Sequence, residues 1–157
     1  IWDRTFEEIS EEYADIESDS LLIDAACMDL VRRPEAFDVI VAPNLFGDIV
    51  TDIGAIITGS MGLASSANIN PDTSVPSMFE PTHGSAPDIA GQGIANPMAQ
   101  ILTAAMMLRH LGEYKAATDV DDAVLKLLEQ GEILTPDLGG SSTTESVGDA
   151  IAQLVSG

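Results

Sequence analysis

Two carboxylates stand four residues apart in the segment Asn44-Leu-Phe-Gly-Asp48-Ile-Val-Thr-Asp52. On a helix that spacing puts both on one face, about one turn apart. Like charges on an otherwise apolar face repel unless something positive lies between them. A hard divalent cation, Mg²⁺ or Mn²⁺, meets that need, with protein, substrate and water oxygens as ligands. A plainer use is also open, since an acid near a helix N-terminus complements its dipole. That explains Asp48 better than Asp52, which lies a turn further in. Asp24 stands where a short apolar run ends and a helix begins. In open α/β sheets that edge binds ligands, and an N-cap would equally place an acid there.

The second candidate group is the stretch Glu80-Pro-Thr-His-Gly-Ser-Ala-Pro-Asp-Ile-Ala-Gly-Gln-Gly-Ile-Ala-Asn-Pro97. It is rich in Gly and Pro, and long irregular loops inside compact domains are usually functional. Neither common phosphate-cradling fingerprint, GxGxxG or GxxxxGK[ST], is present. The small residues Gly84, Ser85 and Ala86 nevertheless let a ligand approach main-chain N–H groups closely. His83 beside them could stack or hydrogen-bond, or could be ordinary surface.

Elements must hold these groups in place. Apolar positions Trp2, Phe6, Ile9 and Tyr13 mark an amphipathic helix over 2–14. Residues 20–23 and 37–42 read as short buried strands, and 25–33 and 45–58 as helices closed by Pro34 and by Gly59 and Gly62. Asn96 is expected to cap a helix that carries Pro97 at its first position and ends at Gly112. Further helices are expected over 116–130 and 145–155. Alternating strands and helices predict an α/β fold with parallel strands flanked by helices. Domain organisation is expected to divide near residue 60, with 1–60 in a dimer-forming, metal-binding part and 61–157 in a cofactor-binding part.

Composition narrows the partners. The 157 residues hold 6 Lys plus Arg against 26 Asp plus Glu, a net charge of −20. Such a field repels phosphate backbones, so nucleic acid is disfavoured. No apolar run approaches the ~18–20 residues of a membrane span. Cys27 is the single cysteine, which fits a reducing cytoplasm. Acids scattered over nearly every element, with only Lys115 and Lys126 as lysines, suggest a surface adapted to concentrated salt. Ile1 opens the chain inside a helical stripe, so a longer protein is expected.

The two motifs together carry a resemblance. NLFGDIVTDIGAIITGSMGL and EPTHGSAPDIAGQGIANP resemble the metal-binding segment and the dinucleotide loop of the isocitrate/isopropylmalate dehydrogenase family, and LIDAACM resembles its segment for a third metal carboxylate. The resemblance implies that family's two-domain α/β fold, represented here by its C-terminal half. It implies Mg²⁺ or Mn²⁺ held by Asp48 and Asp52 of one subunit and Asp24 of the other, with Asp24 also aiding proton movement. It implies a dinucleotide flanked by Glu80, His83, Gly84, Ser85 and Ala86, with Ala95 and Asn96 at the adenine and Asp137 near it. Asp88 and Ile89 would face the adenosine ribose, where a carboxylate accepts hydroxyl hydrogens but repels a 2′-phosphate, so NAD is expected. The implied reaction is oxidative decarboxylation of a 2-hydroxy dicarboxylic acid, 3-isopropylmalate first. Tartrate/D-malate dehydrogenase and a non-catalytic regulatory subunit of the NAD-dependent isocitrate dehydrogenase type are the alternatives. The implied assembly is a homodimer with shared sites, or a tetramer built from it. Arg4, Arg32 and Arg33 match none of the family's substrate-clamping arginines, so this chain alone is expected to be inactive.

Overall fold

A computed structural model of the chain describes residues 1–156. Two compact units are present, residues 1–50 and 51–157. The first contains α1 (Trp2–Glu12), α2 (Ile23–Arg32) and a 3₁₀ turn at Pro34–Ala36. Pro34 cannot continue α2, and Arg33 reaches back to Asp29 at 2.7 Å across the helix end. Helix α3 (Asn44–Ile57) runs over the division between the units.

Neither expected strand of this unit forms. Residues 17–22 and 39–43 lie outside any sheet, and Leu22, Val39 and Val41 are 77%, 88% and 60% exposed. A buried strand exists only where neighbouring strands take up its N–H and C=O groups. Among the described residues only Ser65–Asn68 and Met78–Pro81 pair as strands, and they pair with each other. The apolar runs thus read as strands because of their composition, without the partners that would make them so. Val50 is the only described residue of 1–50 that is buried.

The second unit has its own core. Strands β1 (Ser65–Asn68) and β2 (Met78–Pro81) form an antiparallel pair in which Ser66 faces Glu80. Parallel pairing, expected from the strand–helix alternation, is not what these two strands do, because both belong to one loop-joined ribbon. Helices α4 (Met98–His110), α5 (Tyr114–Gln130) and α6 (Thr144–Ser156) enclose Met98, Ala123, Val124, Leu127, Val147 and Ile151. Ala99, Ala105 and Ala117 are fully buried, and their small side chains let the helix backbones approach. Removing Leu127 to Ala in such a core costs about 2–5 kcal/mol.

The ends of α4 follow the sequence. Asn96 Oδ1 accepts the Met98 N–H at 2.9 Å, a capping bond across Pro97, which has helical dihedrals. At the other end Gly112 takes φ +86°, its N–H donating to Arg109 O while Glu113 N–H reaches Leu108 O. That pair of bonds is a Schellman motif, which a Cβ at Gly112 would strain. Gly131 closes α5 in the same left-handed region, at φ +68°. Among the described residues no helix is long and apolar enough to cross a membrane.

Candidate functional site

Asp48 and Asp52 are the fifth and ninth residues of α3, both exposed. Their place on one helix, a turn apart, is as the spacing predicts. Asp24 is the second residue of α2, and its Oδ1 accepts the Ala25 N–H at 2.9 Å. The residue at the cap is Leu22, with no side-chain bond to the helix, so Asp24 sits inside the first turn rather than before it. Among the described residues no three His, Cys, Asp or Glu side chains gather where one ion could be held. The exposed oxygen donors of Asp48 and Asp52 fit a hard divalent cation that keeps water or substrate in its remaining positions.

The loop from 80 to 97 is anchored at both ends. Glu80, exposed, belongs to β2, and the Thr82 N–H continues the ribbon by donating to Ala64 O at 3.0 Å. His83 is half-buried and its Nδ1 lies 2.9 Å from Gly84 O. A carbonyl only accepts, so Nδ1 carries the hydrogen of this contact. Gly84 and Ser85 are exposed, and Ala86 takes φ +43°, ψ 62°. A non-glycine residue there costs about 1–2 kcal/mol, and such conformations persist where surrounding contacts impose them. Here the Ala86 carbonyl accepts the Ile89 N–H at 3.1 Å, closing a 3₁₀ turn over Pro87–Ile89 that carries Asp88 on the surface. Gln92 Nε2 donates to Asp88 O at 2.8 Å and braces that turn.

At the far end the start of α6 holds the loop, Thr144 N–H donating to Gly93 O and its hydroxyl to Ala95 O. Asn96 Nδ2 donates to Asp137 Oδ2 at 3.0 Å, across 41 residues of sequence. The structure therefore brings Asn96 and Asp137 together, with Ala95 next to them. Asp137 lies on a 3₁₀ turn at Pro136–Leu138 and also accepts the Ser60 hydroxyl. Burial pushes its carboxyl up, but the hydrogen-bonding groups around it, Ser60 first and then Thr135, Asn96 and the backbone, together outweigh this and hold it below the usual carboxylate range. Ser60 and Gly62 fall within the NLFGDIVTDIGAIITGSMGL segment, but nothing in the sequence joins them to Asn96 and Asp137. A serine after a glycine in a turn carries no chemical signature, and its partner lies 77 residues away. Small residues, a left-handed alanine and a donor beside an acceptor make this segment fit to hold a dinucleotide.

The sequence profile of the isocitrate/isopropylmalate dehydrogenase family matches residues 1–151. The chain belongs to this family. A Bacillus subtilis relative named "probable tartrate dehydrogenase/decarboxylase" is 54% identical over 150 residues, covering 96% of this chain and 42% of the relative. A 3-isopropylmalate dehydrogenase of Thermobifida fusca is 51% identical over 155 residues, covering 99% and 43%. The isocitrate dehydrogenase structure from Methylococcus capsulatus superposes with a TM-score of 0.89 at 46% identity, covering 95% of this chain and 44% of that one. A β-decarboxylating dehydrogenase from Thermococcus kodakarensis gives 0.83 at 40% identity, covering 98% and 44%. The α/β architecture expected from the sequence is thus that of the family, although the chain spans less than half the length of these relatives.

Proposed function

We propose that the protein carrying this chain oxidatively decarboxylates a 2-hydroxy dicarboxylic acid, with NAD and Mg²⁺ or Mn²⁺, in the cytoplasm as a homodimer. Membership of the family and the paired acids of α3 are the main support, together with the anchored 80–97 loop. On this reading Asp48 and Asp52 hold the cation from one copy and Asp24 completes its shell from the second. A cation so held supplies positive charge to oxygens that become negative during reaction, and the dinucleotide accepts the hydride. Asp24, Asp48 and Asp52 orient the substrate's hydroxyl and carboxylate through that charge, and Asp24 takes part in moving the hydroxyl proton. Glu80, His83, Gly84, Ser85 and Ala86 line the dinucleotide, and Ala95, Asn96 and Asp137 meet its base. Asp88, with Ile89 after it, selects NAD, because its carboxylate would face a 2′-phosphate of like charge.

The substrate we place first is 3-isopropylmalate. The second reading is tartrate or D-malate, and the 54% identity to the Bacillus subtilis relative named for tartrate supports the first of these two. Steady-state assays of the whole protein with Mn²⁺ and NAD, on each of the three acids, decide between them. Turnover of one acid, dependent on Mn²⁺ and lost on chelation, is expected. Tight NAD binding with no 2-hydroxy acid oxidised would instead mark a regulatory subunit and overturn the catalytic reading.

A further inference from the structure

Ser60 lies near the end of the NLFGDIVTDIGAIITGSMGL segment with no role assigned to it, yet its hydroxyl is engaged twice. It is 7% exposed, Oγ accepts the Gly62 N–H at 2.9 Å, and it donates to Asp137 Oδ2 at 2.5 Å. The direction of the second bond is fixed by chemistry, since an ionised carboxylate has no hydrogen to give. Asp137 Oδ2 in turn receives Asn96 Nδ2, and Asn96 Oδ1 receives the Met98 N–H. Turning the Asn96 amide over would set oxygen against carboxylate and N–H against N–H, so the network allows one orientation only. The backbone of the Ser60 turn bears on the same residue. A Cβ added at Gly62 would stand 2.6 Å from the Asn96 Cβ, so that turn lies directly against Asn96 and has no room for a side chain.

Once these bonds are made, Asn96 Nδ2 still carries a second hydrogen, and the Asp137 carboxylate, which Thr135 also faces, has lone pairs beyond those that Ser60 and Asn96 use. A donor and an acceptor are thus adjacent, Asn96 Nδ2 and Asp137 Oδ2 being 3.0 Å apart. That pair complements the amidine edge of an aminopurine, where a ring nitrogen accepts and the adjacent amino group donates. Hypoxanthine presents the reverse, a ring N–H beside a carbonyl. We infer that Ser60 is a positioning residue for base recognition, holding Asp137 and through it the Asn96 amide in the one pairing that reads adenine. This rests on the reading of residues 80–97 as a dinucleotide site, and it adds to that reading a residue that touches no ligand.

The test is calorimetric, on the whole protein, with NAD, AMP and nicotinamide hypoxanthine dinucleotide as titrants. Ser60→Ala should weaken NAD and AMP about tenfold and leave kcat within about twofold, so that the loss falls on affinity and KM. The preference for NAD over the hypoxanthine analogue should shrink several-fold in the same variant. Ser60→Thr, which keeps the hydroxyl, should restore both. Asp137→Asn should show the same loss, and Ser60→Ala added to it should cost little more. If Ser60→Ala fails to fold, Ser60→Cys, near in size with a much weaker donor, is read by the same preference ratio. A lowered Tm with affinity and base preference unchanged would make Ser60 merely structural and overturn the inference. Wild-type protein that binds neither NAD nor AMP would overturn the dinucleotide reading itself, a result visible before any variant is made.

Discussion

Asp137 accepts hydrogen bonds from groups 77 and 41 residues away in the sequence, so its charge ties distant segments together. Its folded pKa is depressed, so the stabilisation it gives is fully present above the ordinary carboxylate value of about 3.9. It is lost as the pH falls through the lower folded value. Asp137→Asn should therefore lower Tm at neutral pH, and the gap to wild type should close only below about pH 3.9. Melts of both proteins across that range check the sign. Asp88 makes a different residue-scale prediction. Replacing it by Lys exchanges repulsion of a 2′-phosphate for attraction, and the ratio of kcat/KM for NADP over NAD should rise at least about tenfold. An unchanged ratio would remove Asp88 from the ribose.

At the scale of elements, the turn over 134–142 is as constrained as any helix. Ser142 N–H donates to Leu134 O, and a Cβ at Gly140 would run into that same carbonyl. Gly140→Ala should destabilise the unit by about 2 kcal/mol or more, read from denaturant midpoints. The runs 20–23 and 37–42 behave in the opposite way. They are apolar enough to be interior, yet Leu22, Val39 and Val41 lie open, as do Leu45 at 67% and Ile56 at 64% on α3. Exposed apolar surface of this kind binds hydrophobic dyes. The 157-residue chain produced by itself should bind anilinonaphthalene sulfonate strongly, and a protein of the relatives' full length should not.

For the whole molecule, charge comes first. Among the described residues, ion pairs join Arg4, Arg32, Arg33, Arg109 and Lys115 to Glu8, Asp29, Asp121 and Asp119, in a chain with 26 acids. These pairs are exposed or partly exposed and contribute little each, while the net charge of −20 leaves a large self-repulsion. Tm should rise by several degrees as NaCl is taken from about 0.05 to about 2 M, as screening shortens the Debye length towards a few ångströms. A flat response would show that the acids are too far apart to matter. The proposed shared-site dimer is tested by mixing two proteins each expected to be inactive, Asp24→Asn and Asp48→Asn. In a two-fold dimer each mixed pair rebuilds one complete site, so random reassembly should recover about a quarter of wild-type activity. Mixtures that stay inactive would place all three acids in one copy.

Local pattern alone placed the helices, because their boundaries are set by residues acting on their immediate neighbours. Pro34 ends α2, Asn96 caps α4, and Gly112 and Gly131 close α4 and α5 through short-range bonds. The one-turn spacing of Asp48 and Asp52 belongs to the same class, since helix geometry is fixed by the backbone. The apolar runs 20–23 and 37–42 read as strands but form none, because pairing depends on another segment, and apolar composition cannot say whether that segment is there. The meeting of Ser60, Asn96 and Asp137 was equally hidden. Hydrogen bonds among residues so far apart in the chain exist only once α4, α5 and α6 have packed and carried their loops to one place.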